Sequence, residues 1–119
     1  MKNRIALVLM LLTVACQKAE TPQAPAGNAA RGRELIAQYG CNVCHTIPGI
    51  DGPQGSLGPA LAGVSLRPTI SMGKVPNTPA NLVQFIQNPA SLNPQSSMPP
   101  LAIPPADAQD IAAYLATLR

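Results

Sequence analysis

Cys41-Asn42-Val43-Cys44-His45 packs two of the three cysteines and the single histidine of a 119-residue chain into five consecutive positions. No other feature constrains the fold as strongly. In a turn of helix, thiols three residues apart lie on the same side, and the next residue carries its imidazole to the end of that turn. The rest of the chain has to be built around whatever those three groups hold.

Three chemistries use such spacing: a dithiol, a metal site, or covalent attachment of a haem. A disulfide between Cys41 and Cys44 suits an oxidising compartment but leaves His45 without a task. A thioredoxin-like pair belongs beside a βαβ pattern, and no strand pattern is visible in this sequence. A structural zinc site takes four ligands. Cys41, Cys44 and His45 supply three, and the domain has no further Cys or His. C-x-x-C-H is also the attachment sequence of c-type haem. There the two sulfurs bond the vinyl groups on one porphyrin edge and the imidazole faces the iron.

The N-terminus agrees with covalent attachment outside the cytoplasm. Lys2 and Arg4 precede an uncharged apolar run from Ile5 to Val14. The run is shorter than the ~20 residues of a membrane span and has the length of a secretory signal core. It ends in "TVAC", the form of a bacterial lipoprotein processing site with Cys16 as the lipid-bearing residue. An ordinary signal peptide cleaved nearby, with Cys16 left as a stray thiol, is the alternative. Residues 1–15 are therefore expected to be a signal segment. Residues 16–27 then form a lipidated cysteine and a Pro/Ala linker, and residues 28–119 the domain. In an extended polyproline-like form, residues 17–27 reach roughly 30 Å, enough to hold a small domain off a membrane surface.

Charge argues against nucleic acid. The formal charge is +3, and losing Lys2 and Arg4 with the leader brings it close to zero. No basic, aromatic-interleaved stretch remains. Aromatics are scarce: no Trp, one Phe and two Tyr, against fourteen Pro and nine Gly. Large rings normally supply much of the buried area in a small core, and a domain this size is already marginal in the surface it buries. A flat apolar cofactor would make up the deficit.

The spacing predicts three main helices. The first follows Asn28 as N-cap, runs through "AARGRELIAQY" with Leu35, Ile36 and Tyr39 on one side, and stops at Gly40. The second starts at Thr78 with Pro79 at its first position, buries Leu82, Val83, Phe85 and Ile86, and ends at Asn88 before Pro89. The third runs from about Pro105 to Leu118, its apolar positions at helical spacing. Residues 46–77 and 89–105 are rich in Pro and Gly. Loops this long need a task or a rigid object to wrap. If the object is a haem, its iron takes a sixth ligand or stays open. Met98, in "SSMPPL" between stiffening prolines, and Met72, in "ISMGKVP", are the two candidates left after the leader. Met98 is favoured, since Met opposite His is an established ligand pair.

With "CNVCH", "GPAL" at 58–61, "MPP" at 98–100 and the terminal "AAYLATL" in view, residues 28–119 resemble the class I c-type cytochromes. "CNVCHTIPG", "GSLGPALAGV", "VPNTPANLVQFIQNP" and "MPPLAIPPADAQDIAAYLATLR" resemble in particular the cytochrome domain fused to subunit II of caa-type oxidases, here standing alone. The resemblance implies an all-α class I cytochrome c fold, three main helices plus long loops wrapping one haem c. It implies thioethers from Cys41 and Cys44, axial ligation by His45 and Met98, and a hydrogen bond from His45 to the Pro59 carbonyl. It makes Arg67 and Asn77 candidates for the haem propionates and brings the Tyr114 ring onto Gly32 where first and last helices cross. The function implied is one-electron transfer, without enzymatic activity. The carrier would be exported, anchored through Cys16 facing the periplasm or extracytoplasmic side, and would serve redox partners of a membrane chain, a terminal oxidase among them. An open-site haem enzyme or gas sensor is the alternative if Met98 does not bind. A fixed haem subunit of an oxidase or reductase complex is another.

Overall fold

The computed structural model describes residues 25–119. The leader 1–15, Cys16 and the linker up to residue 24 lie outside the described residues. Five α-helical elements follow in order. They are α1 (Ala29–Gln38), α2 (Cys41–Cys44), α3 (Pro79–Gln87), α4 (Pro89–Leu92) and α5 (Pro105–Leu115). A 3₁₀ turn at Val64–Leu66 and a two-residue antiparallel pair lie between α2 and α3. That pair joins β1 (Thr69–Ile70) to β2 (Val75–Pro76), with Thr69 opposite Pro76 and Ile70 opposite Val75.

The helix boundaries follow from the end groups. Asn28 is extended, and its side chain accepts from the Arg31 N–H, satisfying one orphan donor of the first turn. Thr78 does the same for Asn81 at the start of α3. Pro79 needs no N–H partner there, which suits it to that position. Pro89 stops α3 at Gln87, but the chain resumes one further turn, α4, with Pro89 at its first position, a turn not expected from the Pro-rich pattern of 89–105.

Two further expectations are corrected. The sequence showed no convincing strand, yet β1 and β2 form around a tight turn in which Ser71, Met72 and Gly73 all have positive φ. Two-residue strands are too short to show alternation. The last helix ends at Leu115, three residues before Leu118. There the Thr117 hydroxyl and N–H both take the Tyr114 carbonyl, at 2.6 and 2.9 Å, and the last turn tightens. Leu118 stays buried, and its carbonyl accepts both the N–H and the hydroxyl of Ser65.

Helix α1 packs across α5, and α3 packs on α5 as well. The core between them is aliphatic: Leu35, Ile36, Ile47, Ile86, Ile111 and Leu115 are buried, and among the described residues no aromatic ring is fully enclosed. On α3 only Ile86 is buried; Leu82, Val83 and Phe85 are half-buried. The α1–α5 crossing is at Gly32. A Cβ there would lie 2.5 Å from the Asp110 carbonyl carbon and closer still to its oxygen. The nearest atoms to Gly32 are thus those of the α5 backbone at Asp110 and Ile111. Tyr114, one turn further along α5, sends its hydroxyl to the Pro48 carbonyl at 2.7 Å. Pro25–Gly27 also belong to the fold, since Gly27 lies against the backbone of Gln109.

Polar groups tie the same two helices at one end. The Asn28 N–H donates to Asp110 at 2.7 Å, Arg31 pairs with Asp107 and Asp110, and the Tyr39 hydroxyl donates to Asp107 at 2.7 Å. That hydrogen bond raises the Tyr39 pKa; burial and the Asp107 charge add to the rise, and Arg31 opposes it. The fold therefore favours the neutral phenol. Its contribution is complete below the ordinary phenol value of about 10 and is lost as pH rises through the higher folded value. Thermal unfolding followed from about pH 8 to 12 should show this alkaline loss in the native chain. Tyr39→Phe should start less stable at neutral pH and show a flatter profile; an unchanged alkaline loss would assign it elsewhere.

Candidate cofactor site

Gly40, at φ 70°, turns the chain out of α1 straight into α2. This left-handed position is one that glycine occupies without penalty. α2 is a single turn, and it places Cys41, Cys44 and His45 together, all half-buried. Asn42 points inward, 4% exposed, and Val43 outward, 57% exposed. Both cysteines are free thiols. Burial pushes the Cys41 thiol up, the neighbouring Cys44 adds to this, and a local backbone hydrogen bond opposes it.

Residues 55–61 run alongside 42–46 and are bonded to them at regular intervals. The N–H groups of Gly55, Gly58 and Leu61 donate to the carbonyls of Asn42, Cys44 and Thr46 at 2.9, 2.8 and 2.8 Å. The Thr46 hydroxyl returns a bond to the Gly55 carbonyl. Within this frame His45 Nδ1 lies 2.7 Å from the Pro59 carbonyl oxygen. A carbonyl only accepts, so Nδ1 carries the hydrogen, and Nε2 is left with its lone pair available. A histidine oriented through one nitrogen is the usual preparation for binding a metal through the other.

Gly58 makes this arrangement possible. A Cβ there would stand 2.6 Å from Nδ1 and 2.9 Å from Nε2 of His45, and nearer still to Cε1. Gly55 has a similar constraint against the Val43 and Cys44 backbone. Sequence reasoning took Pro59 from "GPAL" but passed over both glycines. The signal was present as two glycines three residues apart, just downstream of the histidine.

Arg67 and Asn77 brace the same loop. Arg67 Nη2 donates to the carbonyls of Ala60 and Ala62 at 2.6 and 2.9 Å. Asn77 spends its amide nitrogen on the carbonyls of Val64 and Arg67, both at 2.9 Å. The two methionines differ sharply. Met72 sits at the hairpin tip, 80% exposed. Met98 is half-buried in the segment between α4 and α5, its N–H directed at the Ser96 hydroxyl.

This donor set fits a covalently held haem: two unbridged thiols on one turn, an imidazole with Nε2 free, and a thioether on a separate loop. Three helices whose loops fold over such a turn define a class I c-type cytochrome. The chain matches the family model for Cytochrome c over residues 29–119, and it belongs to that family. Comparison with curated proteins gives no match. Members of the family carry haem c covalently, and this chain is a haem-binding electron-transfer protein.

Proposed function

We propose that this protein is a membrane-tethered, monohaem one-electron carrier in which Cys41 and Cys44 form the thioethers and His45 and Met98 are the axial ligands. The observation that carries the ligand assignment is the His45–Pro59 hydrogen bond, which fixes the tautomer and leaves Nε2 for iron. The exposed position of Met72 supports Met98 as the second ligand. When bound, haem c supplies a one-electron iron couple, and Met opposite His raises its potential. The protein's own part is positional. The 55–61 segment keeps the imidazole from rotating, and Arg67 and Asn77 hold the 60–67 loop. Arg67 and Asn77 remain the candidates to hold the haem propionates.

The leader, Cys16 and the linker support export, with lipid on Cys16 and the domain facing the periplasm or extracytoplasmic side. A tether of this kind raises the effective concentration near membrane-bound partners. The likeness to caa-type oxidase domains favours a terminal oxidase as acceptor. Mass spectrometry of the native protein reports haem and diacylglyceryl masses together; an unmodified Cys16 would end the tether reading.

Met98→Ala tests the ligand. The native holoprotein should be low-spin. The variant should become high-spin, bind carbon monoxide tightly and fall in potential by on the order of 100 mV. An unaltered spectrum in the variant, or peroxide turnover and tight carbon monoxide binding by the native protein, would favour the open-site enzyme or sensor instead.

A further inference from the structure

Asn93 lies in the segment between α4 and α5, five residues before Met98, and is one of two buried polar residues in the described chain, 5% exposed. Both polar atoms of its side chain are engaged. Nδ2 donates to the Ser71 hydroxyl at 2.8 Å, and Oδ1 accepts the Gln95 N–H at 3.1 Å. Its backbone N–H bonds the Pro89 carbonyl, and its carbonyl accepts the Ser96 N–H at 2.9 Å. The Ser96 hydroxyl in turn accepts the Met98 N–H at 3.3 Å.

Residues 94–98 belong to no helix or strand. The backbone N–H bonds they make end on Asn93, or on Ser96, which itself hangs from Asn93. Ser71 lies across from this segment, on the turn of the β1–β2 hairpin. The route from hairpin to the Met98 backbone is therefore Ser71, Asn93, Ser96, Met98. A buried amide bonded at both its nitrogen and its oxygen rigidifies the loop around it, and losing one partner leaves a buried polar atom unpaired.

We infer that Asn93 is a positioning residue for Met98, clamping the ligand loop to the hairpin through Ser71 and so holding the methionine against dissociation from the iron. This rests on the assignment of Met98 as ligand. Apparent affinity for an external ligand scales with the fraction of molecules in the competent, methionine-off state. Imidazole binding to the ferric holoprotein, followed by its visible spectrum, therefore reads the clamp directly.

The titration compares the native protein with Asn93→Ala, Ser71→Ala and Met98→Ala. Ser71→Ala removes only a hydroxyl from a half-buried turn, so it keeps the test open if Asn93→Ala does not fold. Asn93→Ala should bind imidazole about tenfold more tightly than the native protein, and Ser71→Ala about threefold, the scale of one lost hydrogen bond. Native-like affinity in Ser71→Ala and in any folded Asn93→Ala, with tighter binding in Met98→Ala, would overturn the clamp and leave the ligand standing. Native affinity already equal to that of Met98→Ala would instead overturn the ligand assignment, and the clamp with it.

Discussion

Gly58→Ala should lose both stability and the low-spin haem signature. The added methyl would overlap the His45 ring, 2.6 Å from Nδ1 and 2.9 Å from Nε2. Neither side can give way cheaply. The ring is held by Pro59 at 2.7 Å, and Gly58 is itself fixed to the Cys44 carbonyl at 2.8 Å. Relief requires turning the imidazole off its carbonyl or lifting the whole 55–61 segment from α2. Overpacking of this kind costs about 3 kcal/mol, and for a domain this size lowers the melting temperature by on the order of 15 °C. Gly63→Ala is the matching control. It has a left-handed φ of 67° but open space around its Cβ, so it should cost about 1–2 kcal/mol in backbone strain alone and leave the spectrum unchanged. Thermal unfolding and the visible spectrum of the two variants separate the steric effect from the conformational one. A Gly58→Ala protein with native melting and spectrum would remove the cradle from the account.

Some of this was legible in the sequence because it is local. Asn28, Gly40, Thr78 and Pro79 announce helix ends through their own side chains or backbone preferences, and the structure places those ends within a residue. The cysteine–histidine pentad is local too, since its chemistry lies in spacing along one turn. What the sequence hid depends on distant parts of the chain. Gly58 is an ordinary loop glycine until it is placed over His45. Asn93 looks like a turn residue before proline; only its bond to Ser71, 22 residues away in sequence, makes it a hub. Gly32 is legible as a close-approach position, but its nearest partner, the α5 backbone at Asp110, is not, because side-chain size gives no register between two crossing helices.

The thin core raises the weight of each close contact. Without an enclosed aromatic ring, the α1–α5 crossing relies on Leu35, Ile36, Ile111 and Leu115 interleaving at short range. Short range there depends on a residue with no side chain. The ion pairs beside it add little by themselves, since Arg31 is 55% exposed and surface pairs are weak.

Gly32→Ala should accordingly be among the most damaging changes in the molecule. Inside a helix, alanine is preferred over glycine by about 1 kcal/mol, so propensity alone predicts a small gain. Sterics point the other way and are larger. The new Cβ would stand 2.5 Å from the Asp110 carbonyl carbon and 3.0 Å from the Ile111 nitrogen, with the carbonyl oxygen nearer than either. These are backbone atoms of a regular helix, with no rotamer to change. The helices must separate, which loosens the buried aliphatic contacts along the crossing and draws Asn28 and Arg31 away from Asp110. Each methylene returned to water costs about 0.8 kcal/mol, and a crossing opened along its length exposes several. A net loss of about 3 kcal/mol or more is expected, against a total stability of roughly 5–15 kcal/mol for a domain. The variant should keep the haem-binding turn intact in sequence yet unfold at far lower temperature or denaturant, as circular dichroism would record. Melting at or above the native temperature would mean that helix propensity outweighs the crossing, and that α1 and α5 are not held at Gly32.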